Sequence, residues 1–185
     1  MKYKLAALAF FSTLYMSSSV MAADNWEWFP AGKDGWKSDF TFAFQAGSMD
    51  VKNIGTGEFK GVEFALNCPW FCAPGGNLRQ EFHLGSYKNG NASLTTFEIN
   101  PHYMVPLSKN WSVGGGPGIG YVHGYIGDKE ANMSSFQVTG DIDYNQGNFF
   151  FGVGARYQNT RNKEIVPGIK GMDNWLVSAK VGLNF

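Results

Sequence analysis

Charged and imidazole side chains recur at alternate positions in several segments of this chain of 185 residues. Groups of these types can carry protons or ions when they line a wet pore. They can also neutralise one another when they are packed inside a protein, where an unpaired charge is costly. The residues are Arg79, Glu81, His83, Glu98, His102, Asp141, Asp143, Arg156 and Lys180.

The three histidines supply ligand types for a metal site, yet their positions do not favour one. His83 and His102 fall on one predicted strand face and His123 on the opposite face, without a His-x-His pattern. The residue two positions after each histidine is glycine, methionine or tyrosine, so the His-x-Ser pair of lipid A deacylases is absent. We expect no catalytic, cofactor-binding or metal-binding residues, although lipid modification with a diffuse signature stays open.

The two cysteines lie close together, in Cys68-Pro69-Trp70-Phe71-Cys72. In an oxidising compartment, two nearby cysteines are expected to form a disulfide. The ring between Cys68 and Cys72 is small, so strain should reduce its stabilising effect. Trp70 and Phe71 inside this loop are candidates for anchoring the protein at lipid headgroups.

Strands must position these residues, because apolar residues repeat with a period of two. In Trp175–Phe185 every odd-numbered position is apolar, and most even-numbered positions are small or polar. Seven further segments alternate in the same way. The eight predicted strands are 39–47, 58–67, 78–88, 93–105, 111–125, 134–145, 148–158 and 175–185.

One face of these strands is apolar, and the other carries the charged residues. A soluble ligand-binding barrel places apolar residues inside, whereas a transmembrane barrel turns them toward lipid. The sequence therefore predicts an all-β protein, a closed eight-stranded antiparallel up-and-down transmembrane β-barrel. The predicted lipid-facing residues are Phe42, Phe64, Phe97, Ile119, Val138, Phe151, Val181 and Leu183.

The interior of such a barrel is just wide enough for side chains. We therefore favour a packed polar lumen over a pore. The expected ion pairs join Glu81, Glu98 and Asp141 to Arg79, Arg156 and Lys180.

The connections alternate between two predicted kinds, longer polar loops and tight turns. Pro101 and Pro117 lie inside strands, and each predicts a local break in the ladder. The connection Asn67–Asn77 is longer than expected for its side of the barrel. The predicted long loops are Met49–Thr56, Lys88–Ala92, Ile126–Met133 and Thr160–Asp173, and the tight turns are Pro106–Asn110 and Asn145–Asn148.

The N-terminal residues 1–22 are typical of a secretory signal peptide, with a basic start, a short apolar core and small residues before the cleavage site. Residues 23–37 form an aromatic segment, which we interpret as an interfacial clamp against the membrane, with a flexible leader or an inner plug as the alternatives. Residues 38–185 form the predicted barrel. With 15 basic and 15 acidic residues, the chain has no basic excess to favour nucleic acid.

The ending Val-Gly-Leu-Asn-Phe and the segment Pro106–Trp111, followed by the glycine-rich run Val113–Tyr121, resemble the outer membrane protein A and X type barrels of Gram-negative bacteria. This resemblance implies insertion by the barrel assembly machinery, which reads the terminal Phe185. It also implies residence in the outer membrane, among lipid and lipopolysaccharide, as a monomer. It brings no family-wide catalytic residues.

The predicted function is therefore a non-enzymatic one, namely a structural, surface-contact or adhesion role through the extracellular loops. Two alternatives stay open. One is a narrow channel or small-molecule binder that uses the charged lumen. The other is a lipid-modifying enzyme of the outer membrane.

Overall fold

A computed structural model describes residues 26–161 and 163–185 of the chain. Eight antiparallel strands form a closed barrel in which each strand pairs with the next and the last pairs with the first. This confirms the predicted fold class. The strands are β1 (Thr41–Val51), β2 (Gly55–Asn67), β3 (Asn77–Asn89), β4 (Ala92–Pro106), β5 (Trp111–Ile126), β6 (Lys129–Gln146), β7 (Phe149–Thr160) and β8 (Asn174–Asn184).

The barrel has two different ends. At the terminal end, β1 begins and β8 ends, and the connections 68–76, 107–110 and 147–148 join the strands. At the loop end, the connections are 52–54, 90–91, 127–128 and 161–173. Two short ribbons form sheets separate from the closed barrel sheet: Glu27–Trp28 pairs with Phe71–Cys72, and Glu164–Val166 pairs with Ile169–Lys170.

The predicted long loops Met49–Thr56 and Ile126–Met133 are wrong, because strands occupy most of both segments. β5 and β6 meet in a tight hairpin at Gly127, whose φ of +58° suits glycine. The outward residues beyond this hairpin are polar, while Ala131 and Met133 point inward and are buried. Polar outward residues at this rim thus continue the strand instead of marking a loop. The predicted loop at Lys88–Ala92 likewise shrinks to a turn at 90–91, and among the loop-end connections of the described chain only 161–173 is long.

Pro101 and Pro117 interrupt the ladder between β4 and β5. The register places Ile99 opposite Ile119 and resumes at Tyr103 with the same offset, so the two prolines face each other directly. A hydrogen-bonded antiparallel pair exchanges two bonds, and proline has no N–H to donate. The carbonyl oxygens of both prolines therefore lose their cross-strand donors, which confirms the predicted break.

An apolar cluster fills the interior at the loop end. Ile165 and Met172 from the connection 161–173 join inward-facing strand residues there, and Met172 is completely buried. The Met172 N–H donates to Thr160 Oγ1 at 2.7 Å, which holds the connection down. This connection thus packs into the end of the barrel. The strand residues of this apolar plug include Met49, Phe59, Tyr87, Leu94, Met133 and Leu176.

The predicted signal peptide, residues 1–22, lies outside the described residues, and its boundary stays a prediction. Of the aromatic segment, the structure describes residues from Trp26 onward, including a short 3-10 helix at Pro30–Gly32. Within residues 26–161 and 163–185, no helix has the length and apolar character needed to cross a membrane.

Candidate functional site in the barrel interior

The nine predicted interior residues all lie on inward-facing positions of the strands. Eight of them are buried, and Lys180 and His102 keep only 3% and 0% of their surface exposed. Arg79 is half-buried near the terminal end. The alternating pattern therefore placed these side chains on the inner face, although the function of the set stays a prediction.

Lys180 lies at the centre of the largest group. Its Nζ is 2.7 Å from Glu63 Oε2, 2.8 Å from Asp141 Oδ1 and 3.9 Å from Glu81 Oε2. These residues come from four different strands, β8, β2, β6 and β3. One ammonium group thus serves three buried carboxylates, which lowers the cost of burying each of them.

Two histidines extend this group. His83 Nε2 is 3.1 Å from Glu81 Oε2 and 3.7 Å from Glu63 Oε2. His102 Nδ1 is 3.0 Å from Glu81 Oε1 and 3.1 Å from Asp141 Oδ2. Each imidazole therefore bridges two carboxylates, so the cluster is continuous across the lumen.

A second group surrounds Arg156. Its guanidinium contacts Glu98 Oε1 and donates to Asn174 Oδ1 at 2.9 Å. Thr96 Oγ1 donates to the same oxygen of Glu98 at 2.7 Å. Gln158 Nε2 donates to Ser135 Oγ at 3.0 Å, and Asn174 Nδ2 donates back to Gln158 Oε1 at 2.9 Å.

The expected pairs are only partly present. Arg156 meets Glu98 and Lys180 meets Asp141, but Arg79 does not pair with Glu81. Arg79 Nη2 donates instead to Thr41 Oγ1 at 2.7 Å and to the Asp39 carbonyl at 3.3 Å. Arg79 does not reach Glu81 because Arg79 and its partners lie at the terminal end, while Glu81 contacts the histidines deeper inside the barrel. Asp143 is buried as well, and its Oδ1 has no hydrogen-bond partner among the described residues.

Sequence reasoning omitted Glu63 from the interior set, although its inward position on β2 was readable from the period of two. Its closeness to Lys180 was not readable, because β2 and β8 are not neighbours in the wall. The polar partners Gln158, Asn174 and Thr139 were also omitted, although Gln158 and Asn174 face each other on the neighbouring strands β7 and β8.

Two overlapping sets of residues have ligand atoms close enough for a metal ion, Glu63–Glu81–His83 and Glu81–His102–Asp141. Both sets share Glu81, and Lys180 Nζ lies against members of each. The ammonium group therefore supplies the positive charge that these carboxylates need. We interpret the cluster as a structural network on this ground.

Asp141, His102 and Thr139 have the residue types of a catalytic triad, since His102 Nε2 contacts the Thr139 hydroxyl. The directions of the hydrogen bonds argue for a structural role. The Thr139 hydroxyl donates to the Gly116 carbonyl at 3.1 Å, so it accepts from His102. His102 Nε2 is therefore the donor toward Thr139, while His102 Nδ1 lies 3.0 Å from a Glu81 oxygen and 3.1 Å from an Asp141 oxygen without hydrogen-bond geometry. A general base needs a free acceptor nitrogen toward its nucleophile.

One small cavity lies in the described interior. A cavity of about 20 Å³ lies among His83, Asn100, Thr139 and Ser178, which is room for about one water molecule. A wider recess of about 290 Å³ opens at the terminal end, lined by Arg79, Asn145 and Asn184 among others. The polar interior is thus nearest to solvent at the terminal end, while the apolar plug closes the loop end.

The exterior carries the predicted lipid-facing residues, whose exposed fractions range from 40% for Phe42 and Phe64 to 62% for Ile119. Aromatic residues concentrate near both rims. Trp111 lies 4.8 Å from Tyr144 near the terminal end, and Trp175 lies 4.8 Å from Tyr157 toward the loop end, as ring centroids.

Cys68 and Cys72 are not bonded to each other in this structure, and their disulfide stays a prediction. Their backbones are held by different neighbours. The Cys68 N–H donates to the Leu78 carbonyl at 2.8 Å. Cys72 pairs with Glu27 in the two-stranded sheet that Glu27–Trp28 forms with Phe71–Cys72.

No family model matches this chain, and no curated protein matches its sequence. Its fold does match solved structures. Neisserial surface protein A is 15% identical with a TM-score of 0.60, and the match covers 79% of this chain and 97% of that one. Ail, the attachment invasion locus protein of Yersinia pestis, is 8% identical with a TM-score of 0.51, covering 81% of this chain and 100% of that one. At these identities the likeness shows the fold alone, which is that of the small eight-stranded outer-membrane barrels.

Proposed function

We propose that this chain is a non-enzymatic barrel of the outer membrane of a Gram-negative bacterium, with a structural or surface-contact role. The observation that carries the proposal is the inverted arrangement of the barrel. Glu81, Asp141 and Lys180 are buried at the centre, while large apolar side chains such as Phe44 and Val177 are about 60% exposed outside. Such a surface is stable in lipid and prone to aggregation in water.

The height of the apolar surface supports this location. Trp175 on β8 and Phe185 directly after β8 mark its two limits and are ten residues apart. At about 3.3 Å per residue and a strand tilt of about 40°, this distance spans about 25 Å of membrane. That is the height of the apolar band in outer-membrane barrels.

The proposed partners follow from this location. They are outer-membrane lipid and lipopolysaccharide, and the barrel assembly machinery through the terminal Phe185. We propose export with a cleaved signal peptide and a monomeric barrel, because every strand of the closed sheet is already paired within the chain. Nucleic acid is not a proposed partner, since basic and acidic residues are equal in number.

Surface contact is best supported at the loop end, and mainly through the connection 161–173. The short hairpins at 52–54, 90–91 and 127–128 offer little area. The ribbon Glu164–Val166 with Ile169–Lys170 presents exposed polar residues, while its Ile165 is anchored in the plug. We therefore assign the contact role to this single connection instead of to several long loops.

The channel and enzyme alternatives find less support. The plug closes one end of the lumen, and the interior cavity holds about one water molecule. The hydrogen-bond directions around His102 also favour a structural network over a general base.

Cell fractionation and a heat-modifiability gel test the proposal. We expect the protein in the outer-membrane fraction, with different migration before and after boiling because the closed barrel resists detergent. Identical migration of boiled and unboiled samples, or recovery in a soluble fraction, would contradict it. Mass spectrometry of lipid A with and without the protein serves as the enzyme test, and a modified lipid A species would overturn the non-enzymatic assignment.

A further inference from the structure

Two aromatic segments that are distant in the sequence form one small sheet at the terminal end. Glu27 pairs with Cys72 and Trp28 with Phe71. The Phe29 N–H donates to the Trp70 carbonyl at 2.8 Å, and the Trp28 and Phe71 rings meet edge to face at 4.8 Å between centroids. We call residues 26–32 with 68–74 the aromatic ribbon.

The aromatic ribbon is attached to the outer side of the wall. The Tyr103 hydroxyl donates to the Pro74 carbonyl at 2.7 Å, and Tyr103 lies opposite Leu78 on the next strand. Both residues belong to the outward-facing rows of β4 and β3. The Cys68 N–H bonds to the Leu78 carbonyl at 2.8 Å. These bonds hold the ribbon beside the barrel near its terminal rim, on the side where lipid would lie.

The ribbon exposes large aromatic side chains that the described residues do not cover. Trp26, Trp28 and Phe29 are 62%, 64% and 66% exposed, and Trp70 is 52% exposed. Phe29 also adopts the left-handed region, with φ +53°. A bulky residue rarely adopts this conformation, and such strain concentrates at functional positions. On the surface of a water-soluble protein, exposing this much aromatic area to water would be unfavourable.

We propose that the aromatic ribbon inserts its tryptophans into the phospholipid headgroup layer around the terminal end of the barrel. Tryptophan prefers this layer because its ring is apolar and its N–H is polar. The apolar exterior of the barrel reaches the same rim, where Phe40 stacks on Phe64 with 5.5 Å between ring centroids. Trp111 and Tyr144 form a further aromatic pair near the same end of the barrel. This inference rests on the proposed location in the outer membrane.

Depth-dependent quenching in vesicles tests the contact. The chain has six tryptophans, so two full-length variants each keep only Trp28 or only Trp70, with phenylalanine at the others. Both are folded into phosphatidylcholine vesicles that carry a nitroxide near the headgroup or deep in the acyl chains. We expect both tryptophans to lose more fluorescence to the shallow label than to the deep one.

Two control variants give the quenching expected for a tryptophan at the membrane interface and for one in water. A variant that keeps only Trp175 reports the girdle toward the loop end, and a variant with Asp128→Trp and no other tryptophan reports an exposed hairpin. If Trp28 and Trp70 are quenched by aqueous acrylamide like the Asp128→Trp reporter, and by neither lipid label, the ribbon faces water and the inference is wrong. Heat-modifiable migration of the same samples separates this result from a failure of the barrel to insert, which would overturn the proposed function as well.

Discussion

The ammonium group of Lys180 stabilises a set of carboxylates that could not be buried alone. Glu63, Glu81 and Asp141 are each at most 6% exposed. Their oxygens converge on Lys180 Nζ and on the two bridging histidines. Removing a partner from a buried ionic group costs far more than removing an exposed one, because it leaves charge in a medium of low dielectric constant.

We predict that Lys180→Met destabilises the barrel by about 3–5 kcal/mol. The matched control is Lys60→Met, which removes an exposed lysine 2.9 Å from Glu58 and should cost less than about 1 kcal/mol. Urea unfolding of the refolded protein in detergent micelles measures both. Equal stability of the two variants would show that the network does not hold the lumen together. Adding Glu63→Gln to Lys180→Met should recover part of the loss.

At this scale the sequence predicted which way side chains point but not which ones meet. The face on which a strand side chain lies follows from the period of two, which is a local property of the sequence. Contacts across the lumen join strands that are far apart in sequence, as Lys180 of β8 joins Glu63 of β2. This is why Arg79 was assigned to Glu81 although its partners are Thr41 and the Asp39 carbonyl.

Among the elements, β4 and β5 form the most irregular junction of the wall. Pro101 and Pro117 occupy facing positions at which a residue with a backbone N–H would donate a hydrogen bond to the other strand. Two carbonyl groups therefore lose their cross-strand donors in a segment that we place within the membrane, where such losses are expensive.

We predict that Pro117→Val stabilises the barrel by about 1 kcal/mol, because it supplies an N–H toward the Pro101 carbonyl. The side chain at 117 is exposed on the outer face opposite Val138, so valine fits. The control is Pro106→Val at the end of β4, which falls on the other parity of the ladder and should gain no such bond. The midpoint of urea unfolding and the hydrogen exchange of the new amide measure the effect. A rapidly exchanging amide at position 117 would contradict it.

The existence and order of the strands were predictable, while their ends at the rim were not. Alternation predicts all eight strands, but the polar outward residues after Gly127 have the composition of a loop, although β6 starts at Lys129. A strand that rises above the apolar band has polar residues on its outer face, so hydropathy alone marks the edge of the band instead of the end of the strand.

The whole molecule is asymmetric along its axis. The terminal end has a polar recess of about 290 Å³, the middle holds the charged network, and the loop end is filled by apolar residues that include Met172 and Ile165. The charged residues indicated a polar lumen from the sequence. The plug was not predicted, because its members are inward-facing apolar residues from several strands and one connection that only the closed barrel brings together.

This arrangement predicts that the barrel does not conduct ions. An ion that entered the terminal recess would have to break the contacts of Lys180 with its carboxylates, and would then meet an apolar barrier at the loop end. Planar-bilayer recordings of the refolded protein should show no steady unitary conductance, with heat-modifiable migration of the same preparation as the control for folding. Steady conductance that Arg156→Ala or Glu98→Ala abolishes would instead assign the charged lumen a transport role, because these two residues form an ion pair inside the lumen.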